Sequence, residues 1–258
     1  MKTIIHLVAT IAFVLLAIRP VFAQSTPNNV TWSGQISYEG IHKIDPASLK
    51  FLDDNGELMK PSDPNFPKDI PDNRMSEQKV IINGSYAKVT GNNYQVMPTV
   101  GKLRPFFEQV FIDLKTLKKI TLLTVGNDAE AKMYQAETAL QRVSGWKFTE
   151  QTKKIAGYTC RKATVPYKKE TFTVWVTTEL PFTYSPIQEL TPDTGTVLLI
   201  EGSKEQFKAT KITKTNPDHS AIKPNVQAQT VTMEQLAELR QKAIADFTQK
   251  YRRVGQGG

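Results

Sequence analysis

Along most of the chain apolar and polar residues alternate in short runs broken by turn signals, the two-residue period of half-buried β-strands. Trp32, Gly34, Ile36 and Tyr38 fall on one side of a first strand over Thr31–Ile44. Phe51-Leu52 runs into Asp53-Asp54-Asn55-Gly56, a turn whose acidic pair lacks the further ligands and distal glutamate of a calcium loop. Prolines at 61, 64, 67 and 71 make 60–73 a loop, because proline removes ladder donors and fixes φ. Asn83-Gly84 and Asn92-Asn93 separate VII, SYAKV and YQVM into hairpin strands, and FFEQVFID and KKITLLTV predict another hairpin. Over 128–144 the composition favours a helix, but extended neighbours on both sides favour a strand around Lys132–Thr138, which is the expectation.

The stretch from Trp146 to Pro181 organises the second half. Its segments WKFTEQTK, KIAGYTCRKATV and TFTVWVTTEL read as extended, with a turn around Pro166–Lys169 before the last. In that last strand Phe172, Val174 and Val176 face one way and Trp175 the other. Pro181–Pro192 reads as an irregular loop. Gly195–Glu201 and Glu205–Thr213 form a closing pair around Gly202-Ser203.

The period changes once, near the C-terminus. Thr232 and Gln235 have capping-box spacing, and Val231 can staple onto Leu236. Met233, Leu236, Ala237, Ala243, Ile244, Phe247 and Tyr251 share one helical stripe, interrupted by Arg240. The predicted fold is mainly β with one C-terminal α-helix over 232–252. About ten antiparallel strands form a large curved antiparallel sheet, since a sheet that size must curl, close or be covered. The helix lies across the concave side, packed on the sheet or lining a cavity.

Residues 1–23 read as a signal peptide. Lys2 provides the charge, Ile4–Ile18 the apolar run, and Val21-Phe22-Ala23 a cleavage site between Ala23 and Gln24. A polar leader, 24–30, and one β-rich domain, 31–254, follow. The run is short for a membrane span and no second one follows, so an exported, soluble, periplasmic or extracellular product is expected, with no transmembrane segment after signal removal.

The chain carries 33 basic and 25 acidic residues, a net charge of +8. Lysines alternate with strand residues and form no basic block with interleaved aromatics, so no nucleic-acid partner is expected. A solvated sheet face explains the charge, as does contact with anionic lipid or polysaccharide. The single cysteine, Cys160, makes no internal disulfide and reads as a mid-strand core residue. His42 and His219 lie far apart in sequence and read as surface residues. No HExxH, Cys/His cluster, phosphate loop or GxSxG is present. No catalytic, metal or cofactor residue is assigned, and the carboxylate pairs Glu108/Asp113 and Glu137/Glu150 remain open candidates.

Trp146-x-Phe148, then Thr152, Lys153, Ile155, Gly157, Tyr158, Cys160, Lys162 and Ala163, then Trp175, Thr177, Glu179 and Pro181 resemble the core motif of the GLPGLI family of exported Bacteroidota-type proteins. The family's name-giving segment aligns with Ser185–Leu199, where Pro186, Gly195 and Val197-Leu198 are retained. The resemblance implies a sheet like the half-barrel of periplasmic lipoprotein carriers and an exported cell-envelope protein; the export signal, the aromatic-rich strands and the missing catalytic groups then predict one without enzymatic activity. Such a protein binds an apolar small molecule or lipidated partner in the curved sheet. The alternatives are an interaction module that meets an envelope protein through the 182–196 loop, and an uncharacterised hydrolase.

Overall fold

The computed structural model describes residues 32–252 apart from 46–48, 50, 52–57, 61, 92–102, 128–129 and 225–226. The signal segment with Ala23 and Gln24, the turn at 53–56 and the YQVM strand lie outside the described residues. Strands β1 (Ser33–Lys43), β2 (Asn73–Asn83), β3 (Tyr86–Gly91), β4 (Phe106–Asp113), β5 (Lys118–Val125) and β6 (Lys132–Ala139) build one antiparallel meander. A second consists of β7 (Lys147–Ile155), β8 (Tyr158–Tyr167), β9 (Glu170–Thr177), β10 (Thr196–Glu201) and β11 (Glu205–Lys214). The central pair β1–β11 joins them. A short helix α1 (His219–Ile222), a two-residue strand β12 (Gln229–Thr230) and the long helix α2 (Met233–Arg252) follow.

The twelve strands form one sheet in the order β12-β6-β5-β4-β3-β2-β1-β11-β10-β9-β8-β7. The fold is therefore mainly β with a C-terminal helix, as the pattern predicts. The sheet is mixed, because β12 runs parallel to β6 and caps that edge. Its curvature follows from chain reach. Residues 140–146 alone carry the chain from β6 to β7, and such a link spans at most about 28 Å. Ten strand spacings laid flat would separate those strands by about 48 Å. The sheet must bend until its ends approach. The link crosses the opening, where Val143 N–H donates to Glu189 O at 3.0 Å and Arg142 donates to Pro192 O at 3.1 Å.

Local chemistry fixes the hairpins. Ala156 and Gly157, with φ of 48° and 90°, form the two-residue β7–β8 turn, where glycine removes the Cβ penalty at one of two left-handed positions. The first two segments of 146–181 therefore divide at 156–157, and the last turn is Lys168-Lys169 with Pro166 still inside β8. The open edge is β7. Its lysines and the two extra residues between Phe148 and Thr152 keep it from pairing with another strand.

The apolar residues form three clusters. The largest gathers Ile36 and Tyr38, Val80 and Ile82, and the inner residues of β9 and β10 under the segment 180–190. Phe182, Tyr184, Ile187 and Leu190 are buried there, and Leu190 ends a single 3-10 turn (Gln188–Leu190). The second places Leu236 and Ala243 of α2 against Phe106, Leu123 and Ala136 at the other end of the same face. The helix thus roofs only that end, and its stripe is rotated from the expected one: Ala237 is exposed while Leu239 packs. The capping box is present, with Thr232 N–H donating to Gln235 Oε1 at 2.9 Å and Gln235 N–H to Thr232 Oγ1 at 3.2 Å. On the outer face Ala228, after α1, covers Phe111, Ile120 and Leu122. Among the described residues no helix is long and apolar enough to cross a membrane.

Candidate functional site

Beside the 180–190 segment the concave face keeps a depression of about 390 Å³. Alternation along antiparallel strands puts every second residue on this face. Register then aligns His42 of β1 with Arg74 of β2, Gly40 with Ser76, and Tyr38 with Gln78. Val89, Val110 and Lys119 extend the floor across β3 to β5, while Pro186 and Gln188 close it from above and Phe207 of β11 from the side. The wall is polar where an acyl-chain site would be greasy, with imidazole, hydroxyl, amides, a guanidinium and an ammonium set around a small apolar floor.

His42 is half-buried, not a free surface residue. Its Nε2 lies 2.9 Å from Ser76 Oγ, and its ring meets the edge of Phe207 at 5.3 Å and 80°. Gly40 makes room for this group, since a Cβ there would sit 2.3 Å from Ser76 Oγ and 2.9 Å from Phe207 Cε1. Burial holds the imidazole below its usual range; Glu205 opposes this, and Arg74 and Lys168 reinforce it. At neutral pH one ring nitrogen is therefore bare and accepts a hydrogen bond. Among the described residues no carboxylate bonds the other nitrogen, the group that orients the imidazole of a catalytic triad. The pair suits recognition of hydroxyl groups better than nucleophilic attack.

Behind it, Gln78 Nε2 donates to Tyr184 Oη at 2.9 Å, and Tyr38 O–H donates to Val197 O at 2.8 Å. Burial raises both phenols well above their usual range, so they stay neutral; the Tyr184 bond ties the 180–190 segment to β2, and the Tyr38 bond ties β1 to β10. The loop 182–196 is accordingly core, not a free docking arm.

The motif residues of 146–181 are distributed over scaffold roles. Trp146 Nε1–H donates to Val143 O at 3.2 Å and its ring stacks at 18° on Phe148. Ile155, Cys160, Ala163 and Thr177 are buried, and Tyr158, Thr152 and Lys162 flank them on the hairpin. Lys153 Nζ lies 4.0 Å over the Trp175 ring, whose N–H donates to Glu201 at 3.0 Å. Glu179 accepts Thr159 N–H at 2.9 Å just before the exposed Pro181. None of them reaches the concave depression. The candidate carboxylate pairs are not brought together either: Glu108 pairs with Arg240, Glu137 with Lys118 and Glu150 with Arg161, while Asp113 accepts the Lys115 and Thr116 N–H groups. Among the described residues no three His, Cys, Asp or Glu side chains converge as a metal site would require. Sequence reasoning missed Gly40, Ser76 and Gln78, whose only available signal was their parity on β1 and β2, and Gln188, which lies in the 3-10 turn of the 180–190 segment and carried no such signal.

The family model described as N-glycanase peptide, N-terminal domain, matches residues 72–239, well over half of the 258 residues. The chain belongs to that family. Two solved structures of PNGF-II, determined in different space groups, share the fold of this N-glycanase-type domain. One superposes with a TM-score of 0.53 at 18% identity over 82% of this chain and 33% of that chain. The other gives 0.51 at 16% identity over 82% and 34%. The chain spans about a third of the length of those proteins. No curated protein matches it.

These findings correct the GLPGLI resemblance: the family model that matches is a different one, and the residues behind the resemblance serve packing and hydrogen bonding around β7–β8–β9. They also overturn the expected non-enzymatic carrier, the interaction module and the assignment as a non-enzyme, because the family is that of an N-glycanase. The physical reason is visible in the concavity, where Phe182, Tyr184, Ile187 and Leu190 occupy the space an apolar ligand would take.

Proposed function

We propose that this domain serves in the enzymatic removal of N-linked glycans from peptides, seating the glycan in the concave depression. The family match over 72–239 supports this reading most. The depression adds to it: at about 390 Å³ it falls within the roughly 300–1,000 Å³ of small-molecule sites. Ser76, Gln78, Gln188 and the neutral His42 offer both donors and acceptors, the mixture a hydroxyl-rich sugar requires. Lys119 adds a donor, and Val89 and Val110 give the C–H face of a ring an apolar floor. We further infer export, supported by Lys2, the apolar run Ile4–Ile18 and the Val21-Phe22-Ala23 cleavage pattern.

The test is titration calorimetry of the chain with a neutral N-glycopeptide and the same peptide without glycan, alongside mass spectrometry for glycan release. Binding confined to the glycosylated peptide, and weakened by Gln78→Ala with Ser76→Ala, is the expected result. Equal behaviour of the two peptides, with no release, overturns the reading.

A further inference from the structure

A second depression, about 520 Å³, opens where the β8–β9 turn, the β10–β11 turn and the end of β1 lie side by side. Lys43, Lys168, Lys169 and Lys204 line it with Glu170 and Glu205. Lys43 N–H donates to Lys204 O at 2.8 Å, so their side chains leave adjoining backbone. The carboxylates are already engaged: Glu205 Oε1 is 3.2 Å from Lys168 Nζ, and Glu170 accepts Ser203 N–H at 3.0 Å. Among the described residues no carboxylate lies within salt-bridge distance of Lys43, Lys169 or Lys204, so three ammonium groups line one concave space without an ion pair, with Glu170 close enough to be influenced by Lys204.

The backbone supplies an independent observation. Lys168 and Lys169 have φ of 49° and 67°, the two left-handed positions of a tight hairpin turn. Asn-Gly meets that geometry with least strain, so turn formation does not account for a pair of lysines there; strained residues of this kind mark places where the side chain is used. His42 belongs to both depressions and forms the wall between them.

We propose that the lysine-lined depression receives an anionic substituent, a carboxylate, sulfate or phosphate ester, carried by the glycan seated on the concave face. This rests on the function proposed above. The site is a hollow bordered by three chain segments and separated from the glycan site only by His42, a shape that fits a branch of a bound glycan better than a flat lipid surface.

The experiment compares three probes at low ionic strength: an N-glycopeptide with sialic acid termini, the same glycopeptide after sialic acid removal, and vesicles containing phosphatidylserine. Each is titrated against the wild-type chain and the Lys43→Gln/Lys169→Gln/Lys204→Gln variant, all three positions being exposed. The expected result is about tenfold tighter binding of the sialylated probe, the sum of three solvent-screened contacts. That preference disappears in the triple variant and in about 0.5 M salt, while the neutral probe binds both proteins alike. Equal wild-type affinity for the two glycopeptides, with neutral binding intact, overturns this proposal and leaves the glycan site standing. Vesicle binding lost in the triple variant, without any sialic acid preference, reassigns the lysines to a membrane surface and overturns it too. If neither glycopeptide binds, the glycan reading itself falls and this inference with it. Lys169→Gly provides a folded control, because it relieves the turn while removing a charge; weaker sialylated binding in a protein no less stable is expected.

Discussion

His42 Nε2 and Ser76 Oγ meet at 2.9 Å across a gap that only a glycine at position 40 leaves open. Gly40 has no left-handed φ to explain it, so its role is close approach of its neighbours. Gly40→Ala should break the pair and push Phe207 outward, costing about 1–3 kcal/mol as overpacking does. Chemical denaturation measures the loss, and the His42 ring resonances report the broken contact. An unchanged midpoint together with unchanged resonances would show that the face tolerates the methyl group.

The imidazole of His42 is lowered in the folded state by burial, and Glu205 only partly opposes this. A depressed histidine binds its proton more tightly in the unfolded chain. Its contribution is therefore fully present above the unfolded value near 6.5, falls as pH drops through that value, and levels off below the folded value. His42→Gln should flatten the slope of stability against pH below about 6.5. Denaturation midpoints at several pH values, wild type against variant, provide the check.

Cys160 is buried against the large core cluster, and burial first, with Glu179 second, pushes its thiol up to about 12 against a smaller pull from Lys153. Only a trace of thiolate exists at pH 8. Alkylation of the native chain should run at least about a hundredfold slower than in denaturant, since the thiolate is the nucleophile and exposure requires opening. Mass spectrometry after timed iodoacetamide exposure decides it; rapid native labelling would place the sulfur at the surface.

Period-two patterning made the hairpins legible. Residues 106–113 and 118–125 are strands at the predicted bounds, and the capping-box residues open the last helix where their spacing placed it. Turn chemistry was legible at Asn83-Gly84 and, within its broad bounds, at Pro166–Lys169, but not at 156–157, where Gly157 read as part of one extended segment. The concave site was not legible. Ser76 and Gln78 lie opposite Gly40 and Tyr38 only through β1–β2 register, and His42 gains its partner from a strand more than thirty residues away. Nor did the sequence pattern show that Phe182, Tyr184 and Leu190 fold back into the curve, because a loop's destination depends on the sheet's bend.

Arg240 interrupts the apolar stripe of α2 and, among the described residues, is the one basic residue of the helix that forms an ion pair with the sheet. Its Nη2 and Nε both lie 2.7 Å from Glu108 Oε2, and both side chains are about one-fifth exposed. Partial burial makes a lone survivor costly, so Arg240→Met and Glu108→Gln should each destabilise by about 1–3 kcal/mol. The double variant should recover part of that loss, because neither charge remains unpaired. A double-mutant cycle by urea unfolding measures the coupling; additive losses would show that the pair contributes nothing beyond its two members.

The β8–β9 turn tests whether the lysines at 168 and 169 are there at the backbone's expense. Both hold left-handed φ values that favour asparagine and glycine. Lys168 recovers some of the cost through Glu205 and by lying 4.8 Å over the Tyr167 ring, contacts that also raise its ammonium above the usual range against desolvation. Lys169 makes no such contact among the described residues. Lys169→Gly should therefore stabilise the chain by about 1 kcal/mol, whereas Lys168→Asn should gain less because it gives up the Glu205 pair. Thermal midpoints of the two single variants give the order. A destabilised Lys169→Gly would mean that the lysine chain supports the turn itself, and the strain at this corner would then need no ligand to explain it.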